Sequence, residues 1–154
     1  MAREDAAGFT LIELVVVLIV AGVLAAVGAS RFFVLKDFQD RGFHDATLAA
    51  VRYAQKVAVA SGCDVEVRIG GGGFALDERS GCTGGGFSVP VRRPGSGGAF
   101  AASAPSGVTV GTLDFYYDAL GRPHAPGGAP LSAPATVTVG AGTITVERET
   151  GFVH

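Results

Sequence analysis

An apolar stretch near the start of the chain constrains its fold more than any other feature. From Phe9 to Ser30 the single charged side chain is Glu13, and from Leu14 to Ser30 there is none. As a helix rising about 1.5 Å per residue, a run of roughly 22 residues reaches about 33 Å, the thickness of a bilayer core. An apolar content of 48% in 154 residues suits either one compact core or a membrane segment, and this stretch decides for a transmembrane helix over 9–30. An ordinary secretory signal is the rival reading. Its apolar part is about 7 to 15 residues long and ends at a small-residue cleavage site, which Ala21, Ala25, Ala26 or Ala29 would supply. Met1 to Gly8 is polar and ends in a small residue, so the abrupt start of the stretch at Phe9 looks like a processing site.

Phe32 to Ala60 contains no proline and one glycine, Gly42, so the helix is expected to continue past the apolar stretch. At 100° per residue, Phe43, Ala46, Ala50, Val51, Tyr53, Ala54, Val57 and Ala58 fall within an arc of about 80° on either side of Phe43. His44, Asp45, Arg52, Gln55 and Lys56 lie opposite. Leu48 and Val59 share that polar side, as surface residues or as a contact for a second helix.

Ser61-Gly62 ends the helical pattern. Val65, Val67 and Ile69 then alternate with Asp64, Glu66 and Arg68, the period of a half-buried strand. Gly70 to Gly73 reads as the turn of a hairpin into Phe74 and Leu76. Phe87, Val89 and Val91 alternate around Pro90, which argues for a sheet edge. Gly95–Gly107 and Gly121–Pro134 read as loops. Leu113, Phe115 and Tyr117 alternate with Asp114, Tyr116 and Asp118, and Val137 and Val139 face Ile144 and Val146 across Gly140-Ala141-Gly142 as a closing hairpin. The 24 glycines and 7 prolines fit many turns between short strands. The expected fold is α+β, one long N-terminal helix packed on six or seven short, mostly antiparallel strands. Its segments are a leader over 1–8, the membrane helix over 9–30, an amphipathic continuation over 31–62, and a glycine-rich β domain over 63–154.

Cys63 and Cys82 are the two cysteines. If the part after the apolar stretch is exported, they meet an oxidising compartment and pairing is favoured. Such a bond closes a loop of roughly 20 residues and contributes about 3 kcal/mol on the chain-entropy estimate. Two free thiols are the alternative. Glu13 raises a question of its own, because an unpaired carboxylate at bilayer depth costs several kcal/mol. Cleavage after Gly8 would free the α-amine of Phe9, and that amine on a neighbouring subunit would neutralise Glu13.

The stretch Gly8-Phe9-Thr10-Leu11-Ile12-Glu13-Leu14, followed by Val15 to Val27, resembles the class III signal of type IV prepilins and type II secretion pseudopilins. The resemblance implies that a membrane aspartyl protease, the prepilin peptidase, cuts after Gly8 and N-methylates Phe9, and that Glu13 guides assembly. Two departures stand out. The leader pairs Arg3 with Glu4 and Asp5, where such leaders are usually basic, and Ser30 stands where many members have a proline that kinks the helix. The segments FHDATLAAVRYAQKVAVASG (43–62), FYYDALGRP (115–123) and ITVERETGFV (144–153) resemble the minor pilins and pseudopilins of the GspH/FimT group, most of all the minor pilin of mannose-sensitive haemagglutinin (MSHA) type pili. The resemblance implies a structural, assembly-priming subunit and no enzyme. It also implies a single-pass protein of the bacterial inner membrane with its C-terminal domain in the periplasm. Its partners would be other pilin subunits, the peptidase, the assembly platform and the lipid bilayer.

Other chemistry is sparse. Gly70–Gly73 lacks the phosphate-loop pattern, and the lysines are Lys36 and Lys56 alone. His44, His124 and His154 are far apart and lack metal-site spacing, so they read as solvated, and no metal or other cofactor is expected. No catalytic residue is assigned. Asp114 and Asp118 would project from one side of a strand, toward calcium or water. Arg92 and Arg93, with Arg79, Arg68 or Arg122, are the candidate DNA contact of a tip-exposed binding module. Against it, acidic and basic side chains balance beyond the apolar stretch. A secreted soluble protein with an ordinary signal is the third functional alternative.

Overall fold

The computed structural model describes residues 10–154, apart from the side chains of residues 27–35. Gly8 and Phe9 lie outside the described residues. One helix, α1 (Leu11–Ser61), is followed by eight strands: β1 (Val65–Gly70), β2 (Gly73–Gly81), β3 (Gly84–Pro90), β4 (Ala101–Ser103), β5 (Leu113–Tyr117), β6 (Pro123–His124), β7 (Ala135–Val139) and β8 (Gly142–Val146). The architecture is α+β, as expected. The chain divides between Asp37 and Phe38 into two compact units. Among the described residues no helix is long and apolar enough to cross a membrane. The described side chains of the apolar stretch end at Ala26.

In the second unit the helix presents Phe43, Thr47, Ala50, Val51, Ala54 and Ala58 to the core. This buried arc is centred about 30° from Phe43, toward Thr47, by the 100° rule. Ala46, expected on the apolar face, is therefore exposed. Thr47 takes the central position because its hydroxyl donates to the carbonyl of Phe43 at 2.8 Å, which satisfies the one polar group it would otherwise strand. The same rotation brings Leu48 partly into the core of its own unit, so it is no contact for a second helix. Three alanines on the buried arc keep the helix close to the sheet.

That sheet is antiparallel throughout, with strand order β3-β2-β1-β5-β6 and β4 beside β2. Val65, Val67 and Ile69 of β1 lie across from Leu76 and Phe74 of β2 and from Tyr117, Phe115 and Leu113 of β5, and this row is the inner face. β3 is the edge strand its proline indicated, with two register shifts against β2. Two short strands, β4 and β6, lie within stretches that read as loops in the sequence. They are held by one or two neighbours each and carry no alternation to betray them. The β7–β8 hairpin forms where expected and buries Val137, Val139, Ile144 and Val146. The last residues extend it, since Thr145 and His154 exchange two backbone hydrogen bonds.

Cys63 and Cys82 form a disulfide with Cα atoms 4.1 Å apart. It ties the segment just after α1 to the turn between β2 and β3. Replacing both cysteines with serine should lower stability by about 3 kcal/mol, read as a shifted denaturation midpoint with the circular dichroism of the folded state unchanged. An unchanged midpoint would show that backbone pairing alone holds this corner.

Candidate functional site

The described N-terminal segment begins with a helix cap. The backbone N–H of Glu13 donates to the Thr10 hydroxyl at 3.3 Å and to the Thr10 carbonyl at 3.1 Å. Thr10 is thus the N-cap, and Thr10-Leu11-Ile12-Glu13 has the spacing of a capping box, with the acid in the first turn where the helix dipole favours it. Sequence reasoning considered only the Glu13 carboxylate and missed this cap on its backbone N–H, although the Thr-x-x-Glu pattern was legible. Behind it Leu11, Ile12, Leu14 to Val20, Val23 and Leu24 are all exposed. So much unpartnered apolar surface marks a place for lipid or for another protein.

In the second unit, the three segments on which the minor-pilin resemblance rests meet at one point. Gln55 of α1 donates its amide to the carbonyls of Gly121 at 2.9 Å and Thr150 at 2.8 Å. Tyr117 of β5 donates its hydroxyl to the carbonyl of Gly151 at 3.0 Å. One turn of helix away from Gln55, Arg52 donates to the carbonyl of Val153 from two nitrogens, at 3.0 and 3.2 Å. Gly151 has φ +66°, and a Cβ there would fall 2.5 Å from the Gly121 carbonyl and 2.7 Å from the Gln55 amide, so only glycine fits. Gln55 sits on the polar side of the periodicity, and nothing in the sequence alone distinguishes it from a solvated side chain. Burial pushes the Tyr117 hydroxyl far above its usual range, so it stays a donor.

The loop after β5 is organised by Asp118. Its Oδ1 accepts the backbone N–H groups of Leu120 and Arg122, both at 2.9 Å, and its Oδ2 lies 3.0 Å from Arg122 Nε and 3.0 Å from His124 Nε2. Burial pushes the Asp118 carboxyl upward, but these bonds outweigh it and hold the group below the ordinary carboxylate range. His124, expected to be solvated, is instead acid-partnered and stacked on Tyr116 with centroids 5.2 Å apart. Tyr116, expected to face outward, is buried between that ring, Phe87 at 5.4 Å and the Arg79 guanidinium at 5.2 Å. A small second core therefore covers the outer face of the sheet. Asp114 and Asp118 part company here. Asp114 stands opposite Arg68 in the β1–β5 register, while Asp118 caps its own loop.

The five arginines considered as a phosphate-binding patch have other occupations. Arg79 Nε lies 3.0 Å from Asp64 Oδ2, though its N–H is not directed at the oxygen. Arg68 pairs with Asp77 and with Glu66, and Arg122 pairs with Asp118. Burial raises the Glu66 carboxyl, and Asp77 and Asp114 add to the effect against the pull of Arg68. Arg92 and Arg93 remain exposed on the hairpin between β3 and β4. Arg92 donates to the Gly97 carbonyl at 3.1 Å, and Arg93 to that of Ala101 at 2.8 Å. Cys63, Glu78 and Cys82 lie close enough to resemble a metal-ligand group, but both sulfurs are spent in the disulfide.

Comparison with known proteins bears on the N-terminal end. Residues 5–29 match the prokaryotic N-terminal methylation motif, a span that contains Gly8, Phe9 and Glu13. The chain is similar to the type IV narrow pilus major component PilA5 of Thermus thermophilus, 47% identical over 53 residues, which cover 34% of this chain and 46% of that protein. The chain thus spans about half the length of the curated relative it matches. No solved structure matches it. The motif and the relative together make part of this chain similar to type IV pilins.

Because Asp118 titrates below its unfolded value of about 3.9, its contribution to stability is complete above that pH and is lost as pH falls through the lower folded value. Asp118→Asn should be less stable than the parent protein from about pH 5 to 7, and the gap should narrow as pH falls below the unfolded value of about 3.9. Denaturation midpoints against pH measure it. A gap independent of pH would mean that the lost hydrogen bonds, and not the carboxylate charge, hold the loop.

Proposed function

We propose that this chain is a pilin subunit processed by prepilin peptidase and built into a type IV filament as a minor, assembly-priming component of MSHA-like or pseudopilin character. The methylation motif over 5–29 is the observation that carries the reading. Cleavage between Gly8 and Phe9 leaves a charged amine at the head of an apolar helix, and N-methylation of Phe9 keeps its charge. Glu13 in the same zone is its natural counter-ion on a neighbouring subunit, because a lone carboxylate in an apolar environment is costly and an ion pair removes most of that cost. The exposed apolar side chains from Leu11 to Leu24 support two successive environments, the inner-membrane bilayer before assembly and the packed helices of other subunits after it. The C-terminal domain, with its disulfide, belongs on the oxidising, periplasmic side.

The minor role rests on the C-terminal half. The segments 43–62, 115–123 and 144–153 are joined through Gln55, Tyr117 and Gly151, so their joint resemblance to the GspH/FimT group reflects one packed junction. The pilin relative is described as a major component, but its alignment covers only 34% of this chain.

Peptide mass spectrometry of protein from its native membrane tests the processing step. The expected product begins at N-methyl-Phe9, and a chain cut near Ala26 or Ala29 would overturn the filament reading. Glu13→Val should leave cleavage intact and reduce incorporation into filaments at least about tenfold, the order expected when the Phe9 amine loses its counter-ion in an apolar environment, scored by immunoblot of sheared filaments; normal incorporation would remove the ion pair from the mechanism. A tip-exposed DNA-binding role keeps Arg92 and Arg93 as its residues. With Arg68, Arg79 and Arg122 held by carboxylates, Arg92→Glu with Arg93→Glu is expected to leave retention on DNA unchanged at about 150 mM salt, and a salt-dependent loss would restore that role.

A further inference from the structure

We propose that Asp40 and His44 form a divalent transition-metal site on α1, closed by the β7–β8 turn. The two residues are one helical turn apart and share a face. Asp40 Oδ1 and His44 Nε2 are both buried and, among the described residues, both without a hydrogen-bond partner. Buried polar atoms left unsatisfied are uncommon, and two together in one place point to a missing shared partner. They line the same cavity of about 300 Å³, with Arg41, Asp45, Ala141 and Gly142.

The chemistry of the two atoms identifies the partner. Asp45 Oδ1 lies 3.4 Å from His44 Nδ1, a contact made by the tautomer that carries its proton on that nitrogen. In that tautomer Nε2 offers a lone pair, and the Asp40 carboxylate oxygen offers more. Two acceptors line one cavity, neither bonded to a donor among the described residues although Arg41 lines it too, and a cation satisfies both. One imidazole nitrogen with one carboxylate oxygen is the donor set of zinc or nickel, and a histidine held by a carboxylate on its far nitrogen is the usual outer support of such a ligand. Water, or a carboxylate from another molecule, completes the coordination.

The turn is shaped for this place. Gly140 has φ +59°, and a Cβ on it would lie 2.9 Å from the Cβ of Asp40. A Cβ on Gly142 would lie 2.7 Å from His44 Nε2. A turn without side chains at these two positions covers both donors, so a bound metal would tie α1 to the hairpin. Arg41 lines the same cavity, and its charge opposes a second cation.

The test uses the full chain in detergent micelles, titrated with Zn²⁺ and with Ni²⁺ by calorimetry and melted with and without each metal. The expected results are one saturable site, a Tm that rises with Zn²⁺, and affinity weakened at least about tenfold in His44→Gln and in Asp40→Asn. Asp45→Asn should lose about tenfold, and Arg41→Ala, which removes a positive charge from the cavity lining, should bind more tightly. Absence of a saturable site overturns the proposal, as does equal affinity in the parent protein, His44→Gln and Arg41→Ala. If His44→Gln and Asp40→Asn melt lower without metal while the parent protein ignores Zn²⁺, the two atoms share a proton instead, and the proposal fails.

Discussion

The second unit depends on how closely the helix can approach the sheet. Ala50, Ala54 and Ala58 recur at four-residue intervals on the buried arc, each no more than 1% exposed. Small side chains along one line let α1 lie low over Val65, Val67 and Ile69. Only at that distance do the longer side chains beside the line reach across. Gln55 then meets two loop carbonyls, Arg52 meets the last strand segment, and Tyr53 stacks on Phe100 at 4.9 Å. A bulkier residue at Ala54 would separate all three contacts at once, because a packed core does not absorb extra methylene groups without displacing its neighbours.

The sequence revealed what repeats and concealed what does not. The alternation of β1, the glycine turn into β2, the edge position of β3 and the closing hairpin were all legible, since each rests on a two-residue period or on glycine and proline chemistry. The helix was legible too, but its buried arc was misplaced by about 30°, because the apolar residues alone set its centre and Thr47, whose hydroxyl has a carbonyl at hand, was not among them. β4 and β6 were not legible, being three and two residues long and set among Gly, Ala, Ser and Pro. Tyr116 and His124 were misread for a different reason. A strand's outward face is solvent only until a loop folds over it, and the loop that Asp118 organises lies far along the sequence from Phe87 and Arg79, which it helps to cover.

The candidate functional residues divide in the same way. Gly8, Phe9 and Glu13, the proposed processing and assembly residues, stand out because the motif they lie in is a linear pattern that needs no fold to be read. Gln55, Arg52 and Gly151 were silent, since their roles depend on partners 34 to 101 positions away. The arginines show the converse hazard. Five of them looked available as a group, yet Arg68, Arg79 and Arg122 are already held by carboxylates that compositional balance could count but not place.

The disulfide has a mechanical consequence. At the end of α1 the chain continues through Asp64 into β1, and the bond from Cys63 to Cys82 opens a second covalent route to the turn between β2 and β3. Tension applied along the helix therefore divides between the central strand and the edge hairpin. Both routes enter the β1–β2 ladder at the same end, where Val65 faces Glu78, so the two strands are drawn together and do not slide past one another.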